Sequence, residues 1–367
     1  MDFKTIEDFD PKDKRVLVRV DFNVPFRNGV IEDDYRIVRT LPTLKYLVDR
    51  GAQVILLTHL SEDIPGAFLA ISDYLKKVFE TVIFIPGNNL SLAKGTIKTL
   101  VPGEIILLDN IRLFKGEEEN DSVFAKELAS LGDYYVNEAF SVSHRSHASI
   151  VGISKIISGF AGLLFEEEYK NLSQAFKPEH PFLLILGGVK FESKLGVLNK
   201  FVQIADKIFI GGGLANNFFK MLGEDVGNSV VDESVNVMPY IGNAKIFLPV
   251  DKRIKDGKIL DIGPESIKFL AGLIERAQFI LWNGPLGSYE EEGFDLGTKE
   301  VARMIAHCGS KIVIGGGNTI DVLEHMPEKK ILESHAYLST SGGAMLEFLA
   351  NGTLPGIEAL KNSPQNI

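Results

Sequence analysis

Cysteine is nearly absent from this chain. Cys308 stands alone among 367 residues, so an internal disulfide is excluded and a reducing compartment is expected. Long apolar runs are missing too, and none approaches the roughly 20 residues that a membrane-spanning helix needs. Positive charge is in deficit: 39 Lys and Arg face 49 Asp and Glu, for a formal net charge of −10. That balance argues against nucleic acid as a default partner, because such partners want a basic face. Anionic metabolites stay open, since a local cluster can be positive on an acidic protein. No G-x-x-x-x-G-K-[ST] occurs, so a P-loop nucleotidase is excluded, and the lack of a good G-x-G-x-x-G after a strand weakens a nicotinamide-binding reading. Low-complexity tracts and fixed-period repeats are absent. The first residues, MDFKTIEDFD, are mixed and acidic, unlike a secretory or transit peptide. A cytoplasmic protein without membrane or nucleic-acid partners is the expectation.

What is present is a well-packed α/β pattern. Hydrophobic residues make up 45% and mean hydropathy is +0.09, and the length favours two domains over one core. Short apolar runs read as strands at Arg15–Val20, Gln53–Leu57, Val82–Ile85, Ile105–Leu108 and Tyr134–Val136. A second series follows at Phe182–Leu186, Lys207–Ile210, Lys245–Leu248, Phe279–Trp282 and Lys311–Ile314. Between them lie helical periodicities, such as Arg39–Asp49, Val123–Leu131, Pro264–Arg276 and Thr298–His307. Such alternation predicts parallel sheets covered by helices on both faces, in two Rossmann-like three-layer α/β/α domains. Near Gly152–Lys177 the strand pattern lapses into one helical stretch, FAGLLFEEEYKNLSQAF, before Lys177-Pro178. It reads as a helical hinge between the domains.

Polar residues at strand ends are the candidates for chemistry, because ligands of open α/β sheets bind at the carboxyl ends of the strands. Val16–Ile37 reads VLVRVDFNVPFRNGVIEDDYRI: a strand ends in Asp21, Phe22 and Asn23, and Arg36 follows a tight Asn-Gly turn. Alternation lets Asp21 and Asn23 face one side while Phe22 packs inward; a plain turn-forming role is the competing reading. Arg36, His59, Arg112 and Arg145 supply basic groups from separate loops, a set suited to a small polyanion. His144 and His147 read as loop-structuring. Glycine clusters crowd the second half at Gly187-Gly188, Gly211–Gly213, Gly315–Gly317 and Gly342-Gly343. Each separates an apolar run from a helical segment, where backbone N–H groups can cradle phosphate, although tight turning alone also explains any single cluster. Lys190 and Lys194 follow the first cluster at a spacing that puts both on one helix face. Charged there, they would suit phosphoryl transfer. Trp282–Glu290, WNGPLGSYE, reads either as a rigid loop or as a wall for a base or ribose, with Glu290 accepting from sugar hydroxyls. Cys308 reads as helix-face packing.

The ordered motifs RVDFNVP, THL, DNIRLFKGEEEND, NEAFSVSHRSHAS, GGVKFESK, GGGLANNF, LPVD, DIGP, WNGPLG, GGGNT, STSGGA and LPG resemble the phosphoglycerate kinase family over nearly the whole chain. That resemblance implies a glycolytic, ATP-dependent, hinge-bending monomer that passes the acyl phosphate of 1,3-bisphosphoglycerate to ADP, reversibly, with Mg2+. It implies a phosphoglycerate-binding domain at 1–155, a hinge at 156–178 and a nucleotide-binding domain at 179–345. A C-terminal segment, 346–367, would pack back toward the first domain. By similarity Asp21, Asn23, Arg36, His59, Arg112 and Arg145 hold phosphoglycerate. Lys190, Arg36, Gly317 and Gly343 would be catalytic, and Lys194 would contact the nucleotide phosphates. Gly188, Gly211, Gly212, Gly213, Asn283, Pro285, Glu290, Gly315, Gly316, Gly317, Asn318 and Thr319 would line the nucleotide site.

Three positions depart from the family pattern. Ser61-Glu62-Asp63 replaces a Gly-Arg-Pro whose arginine is a substrate ligand. Asn318 stands where the family has a magnesium-holding aspartate, and Ser341 stands where it has a glycine. These departures leave a second reading open: a weakened or inactive paralogue that binds a ligand or partner through the same fold.

Overall fold

The structure, a computed structural model, describes residues 1–364 and divides into two compact units. One comprises residues 1–169 with the segment from Thr353 onward, and the other comprises Lys170–Gly352. Along the first unit run β1 (Arg15–Arg19), β2 (Phe26–Arg27), β3 (Val30–Ile31), β4 (Gln53–Leu57), β5 (Val82–Ile85), β6 (Ile105–Leu108), β7 (Tyr134–Asn137) and β8 (Gly159–Ala161). Six of these form a parallel sheet in the order β5-β6-β4-β1-β7-β8. Val16, Leu17 and Val18 of β1 are fully buried, as a strand covered on both faces requires. β2 and β3 make an antiparallel hairpin around Asn28-Gly29, where both residues take positive φ, so the Asn-Gly pair forms the tight turn its chemistry favours.

The second unit carries β9 (Phe182–Leu186), β10 (Lys207–Ile210), β11 (Ile246–Phe247), β12 (Lys252–Lys255), β13 (Lys258–Ile262), β14 (Phe279–Asn283), β15 (Lys311–Gly315) and β16 (Ala336–Leu338). Its parallel sheet runs β11-β10-β9-β14-β15-β16, which in chain order is 3-2-1-4-5-6, the doubly wound order of dinucleotide-binding folds. The chain reverses direction across the sheet between β9 and β14. In the first unit the corresponding reversal lies between β1 and β7. Ligand crevices belong at these two places.

Several elements differ from the sequence expectation. The connector is not one helix from Phe160: Gly159–Ala161 is β8, fully buried beside β7, and the helix runs only Leu163–Ser173. A buried apolar triplet has no helical period to declare itself, and the two states are hard to tell apart at that length. Lys245–Leu248 shrinks to the edge strand β11, and β12–β13 forms a hairpin about Asp256-Gly257. Cys308 lies just past the helix Leu296–Ala306, packed against the core of the second unit rather than on the helix face.

Candidate active site

The reversal point of the first unit gathers charge around a buried carboxylate. Asp21 follows β1, and its carboxylate accepts from Arg36, the second residue of the helix Tyr35–Asp49, and from the Ser141 hydroxyl beyond β7. Burial alone would raise this carboxyl, but Arg36, Ser141 and Arg19 together hold it below its ordinary value. His59 is 2% exposed, and its Nδ1 lies 3.9 Å from Asp21 Oδ1 and 3.3 Å from an Arg19 guanidinium nitrogen. Burial, reinforced by Arg19, pushes the imidazole far down, so His59 is neutral at physiological pH. Phe22 is buried, as alternation required, while the Asn23 amide N–H donates to Asp21 Oδ1. Turn-forming and site-forming roles therefore coexist in Asp21.

Asn23 Oδ1 in turn accepts from the Ser61 amide at 2.9 Å, and Glu62 and Asp63 are exposed beyond it. Arg112 sits in the turn Ile111–Leu113, opened by Asn110 after β6, and pairs with Glu118 at 3.2 Å. Its charge reaches His59, so Arg36, His59 and Arg112 share one neighbourhood. Arg145 lies half-buried in the loop tied to Asp21 through Ser141. His144 and His147 flank it, and His147 Nδ1 lies 3.8 Å from buried Glu117.

Two site-floor residues escaped the sequence analysis. Arg19 is 1% exposed; it donates to Ser149 Oγ at 2.8 Å and to the Val20 carbonyl. Glu117, fully buried, accepts from the Ser149 amide at 2.9 Å and hydroxyl at 2.6 Å, compensating Arg19 through it. The signal for Arg19 was an arginine inside an apolar strand, a residue almost never buried without a partner.

The second unit builds a different kind of site. Four helices begin at glycine-rich turns: Phe191–Phe201, Gly212–Met221, Gly317–Glu324 and Gly342–Asn351. None of the four has a side-chain cap. Uncapped first-turn amides with the positive end of the helix dipole make anion sites. One cleft is lined by Gly188, Lys190, Lys194, Asn283, Pro285, Gly316, Gly317, Asn318, Thr319, Gly342 and Gly343. An adjoining one takes in Gly188, Gly212, Gly213, Pro285, Glu290 and Asn318 and includes an apolar wall of Phe219, Val230 and Ile259. That mix of apolar wall and a few polar groups suits a ligand with a flat apolar ring and a polar end.

The glycines divide by role. Gly187 and Gly284 let the turns after β9 and β14 press together, since a Cβ on either would strike the backbone of the other turn. Gly188 N–H donates to the Pro285 carbonyl at 2.7 Å, and Gly284 N–H to Thr319 Oγ1 at 2.9 Å. Gly211 and Gly315 line neither cleft: Leu286 and Met345 occupy the space where their side chains would be. Gly317, Gly342 and Gly343 face open space. Ser341, before Gly342, is buried with its hydroxyl unpartnered among the described residues.

Lys190 is exposed at the start of the helix Phe191–Phe201 and Lys194 is 3% exposed one turn on. Burial and then Lys190 push the Lys194 ammonium down to about 8. Among the described residues Lys194 feels no carboxylate, only burial and Lys190, and no carboxylate lines this cleft. Two ammonium groups without a carboxylate, beside three helix starts, call for an anion.

A basic pocket on one unit and a phosphate-type cleft on the other define the class: an enzyme of phosphoryl transfer between a nucleotide and a small anionic substrate. Comparison with known proteins agrees. The family model for phosphoglycerate kinase matches residues 6–352. The phosphoglycerate kinase of Thermosipho africanus is 41% identical over 99% of this chain and 98% of its own, and that of Dictyoglomus turgidum 39% over 97% and 98%. The solved phosphoglycerate kinase of Coxiella burnetii superposes with a TM-score of 0.84 at 32% identity, covering 98% of both chains. The chain belongs to the phosphoglycerate kinase family.

Proposed function

We propose that this chain catalyses reversible transfer of the acyl phosphate of 1,3-bisphosphoglycerate to ADP, giving 3-phosphoglycerate and ATP, as a monomer in the cytoplasm. The observation that carries the reading is the segregation of charge: arginines and His59 in one unit, paired lysines and helix starts in the other. Arg36, Arg112 and Arg145 grip the three-carbon acid, with neutral His59, Asp21 and Asn23 fixing its orientation. The nucleotide base and ribose occupy the cleft ending at Glu290, and its phosphates meet Lys194, Asn318, Thr319 and the glycine-bordered amides. In the transfer a β-phosphate oxygen of ADP bonds to phosphorus while the bond to the carboxylate oxygen breaks. Negative charge on the moving group is met by Lys190, Arg36 and the amides at Gly317 and Gly343.

Mg2+ arrives with the nucleotide as part of that substrate. Among the described residues no carboxylate lines the cleft, and Asn318 would offer the ion a neutral oxygen of the type magnesium accepts, so the phosphates would carry most of its binding. Because donor and acceptor bind on separate units, turnover includes an approach of the units that also excludes water from the acyl phosphate. Retention of Lys190, Lys194, Arg36, Arg112 and Arg145 opposes the inactive-paralogue reading. A coupled assay with 3-phosphoglycerate and Mg-ATP tests the proposal, and no turnover at saturating substrates would refute it.

A further inference from the structure

The helix Leu163–Ser173 carries the chain from the first unit into the second, which begins at Lys170. Its own preceding residue, Gly162, has no side chain with which to cap it. The first helical hydrogen bond starts at Glu166, whose amide donates to the Gly162 carbonyl at 2.9 Å. The three amides before it are satisfied from elsewhere. Leu163 N–H donates to Thr43 Oγ1 at 2.9 Å, Leu164 N–H to Glu138 Oε1 at 3.2 Å, and Phe165 N–H makes a longer contact of 3.5 Å with Glu138 Oε2. Helices usually take such caps from the residue just before them; this one takes them from two distant elements.

Both elements lead to the phosphoglycerate pocket. Thr43 lies on the helix Tyr35–Asp49 that carries Arg36 in its first turn, about 10 Å further along the axis at the usual rise per residue. Glu138 follows β7 directly, and three residues later Ser141 donates to Asp21. The packing is close: a Cβ on Gly162 would collide with the Glu138 carboxylate and touch Thr43 Cγ2. Thr43 is fully buried and Glu138 is 1% exposed. Burial pushes the Glu138 carboxyl up to about 8, against the pull of Thr43 and the two amides.

We propose that Thr43 and Glu138 are positioning residues that transmit occupancy of the phosphoglycerate pocket to the helix joining the two units. A shift of Arg36 or of the Ser141 loop on ligand binding moves one or both caps, and the start of the connecting helix moves with them. This rests on the kinase reading above, so the wild-type enzyme is the internal control: without turnover it is that reading that fails.

The test compares wild type with Thr43→Val, Thr43→Ser and Glu138→Leu. Measured for each are kcat, the Kd of each ligand alone, the melting temperature, and the compaction seen by small-angle scattering when phosphoglycerate and nucleotide are both bound. Thr43→Val and Glu138→Leu should lose at least about tenfold in kcat, the scale of one lost buried hydrogen bond to a charged or polar cap, and should fail to compact. The Kd for nucleotide alone should stay within about twofold, whereas that for phosphoglycerate alone should change, because a cap that the ligand moves acts back on the ligand by linkage. Thr43→Ser keeps the acceptor and should restore both readouts. If Glu138→Leu does not fold, the Thr43 pair carries the test alone. Unchanged kcat with only a lowered melting temperature would show an ordinary cap and overturn the proposal. So would loss of turnover in Thr43→Ser equal to that in Thr43→Val, or wild-type compaction in Thr43→Val.

Discussion

Lys194 shows how much one residue's surroundings decide. Its ammonium, pulled down to about 8 by burial and Lys190, is mostly charged at neutral pH and loses its proton as pH rises through that value. The unfolded lysine stays protonated to higher pH, so this group weakens the fold below about 8, and stability recovers as pH rises from there toward 10.5. Nucleotide binding has the opposite sign, because phosphates need the charged form. The Kd for ADP should rise several-fold between pH 7 and pH 9, and binding near pH 8 should take up protons, read by calorimetry in two buffers of different ionisation heat. A flat profile would remove Lys194 from the phosphates. On the other unit, Arg36→Ala or Arg112→Ala should raise KM for phosphoglycerate about ten- to a hundredfold, as charge-assisted contacts of ~1.5–3 kcal/mol are lost, while KM for nucleotide stays near wild type. Glu62 is exposed and its loop is anchored by the Ser61 backbone on Asn23, so Glu62→Arg should leave both values within about twofold. A marked fall in KM would put Glu62 against the substrate.

At the scale of elements, the turns after β9 and β14 work as one interlocked piece. Gly284 has φ +95°, and a side chain there would drive into the Gly187 carbonyl. Gly284→Ala should therefore lower stability of the second unit by roughly 2–3 kcal/mol and abolish ADP binding, with phosphoglycerate binding by the first unit kept. Calorimetry with each ligand separates the two effects. Here the reach of the sequence can be judged. The glycine clusters located all four helix starts, because an apolar run, paired glycines and a helical period leave a parallel strand and a helix little choice. They did not say which glycines serve the ligand: Gly211 and Gly315 pack against Leu286 and Met345, residues far away in sequence. Strands β8 and β16 were illegible for a related reason, being three residues each and identified only by their neighbours. Arg19 and Glu117 were hidden likewise, since a buried ion network is a property of three loops and a strand meeting.

For the whole molecule, the return of the chain to the first unit matters most. The helix Pro355–Lys361 buries Ile357 and Leu360, Gly356 N–H donates to the Ser143 carbonyl at 2.8 Å, and Ser363 reaches Leu360 at 2.9 Å. Ser143 belongs to the loop that carries Arg145, so removing residues 353–367 should destabilise the first unit and weaken phosphoglycerate binding by tenfold or more, on the order of one lost buried contact and its cavity. ADP binding should persist, and equal losses for both ligands would contradict the division of the chain. The same return has a consequence for how the protein is made. Domains commonly fold in the order they leave the ribosome, yet the sheet synthesised first here lacks its last helix until the other unit, Lys170–Gly352, has been completely translated. The nascent first unit waits with the floor under Ser143 and Gly159 uncovered until Pro355–Lys361 has followed the whole of the other unit out of the ribosome.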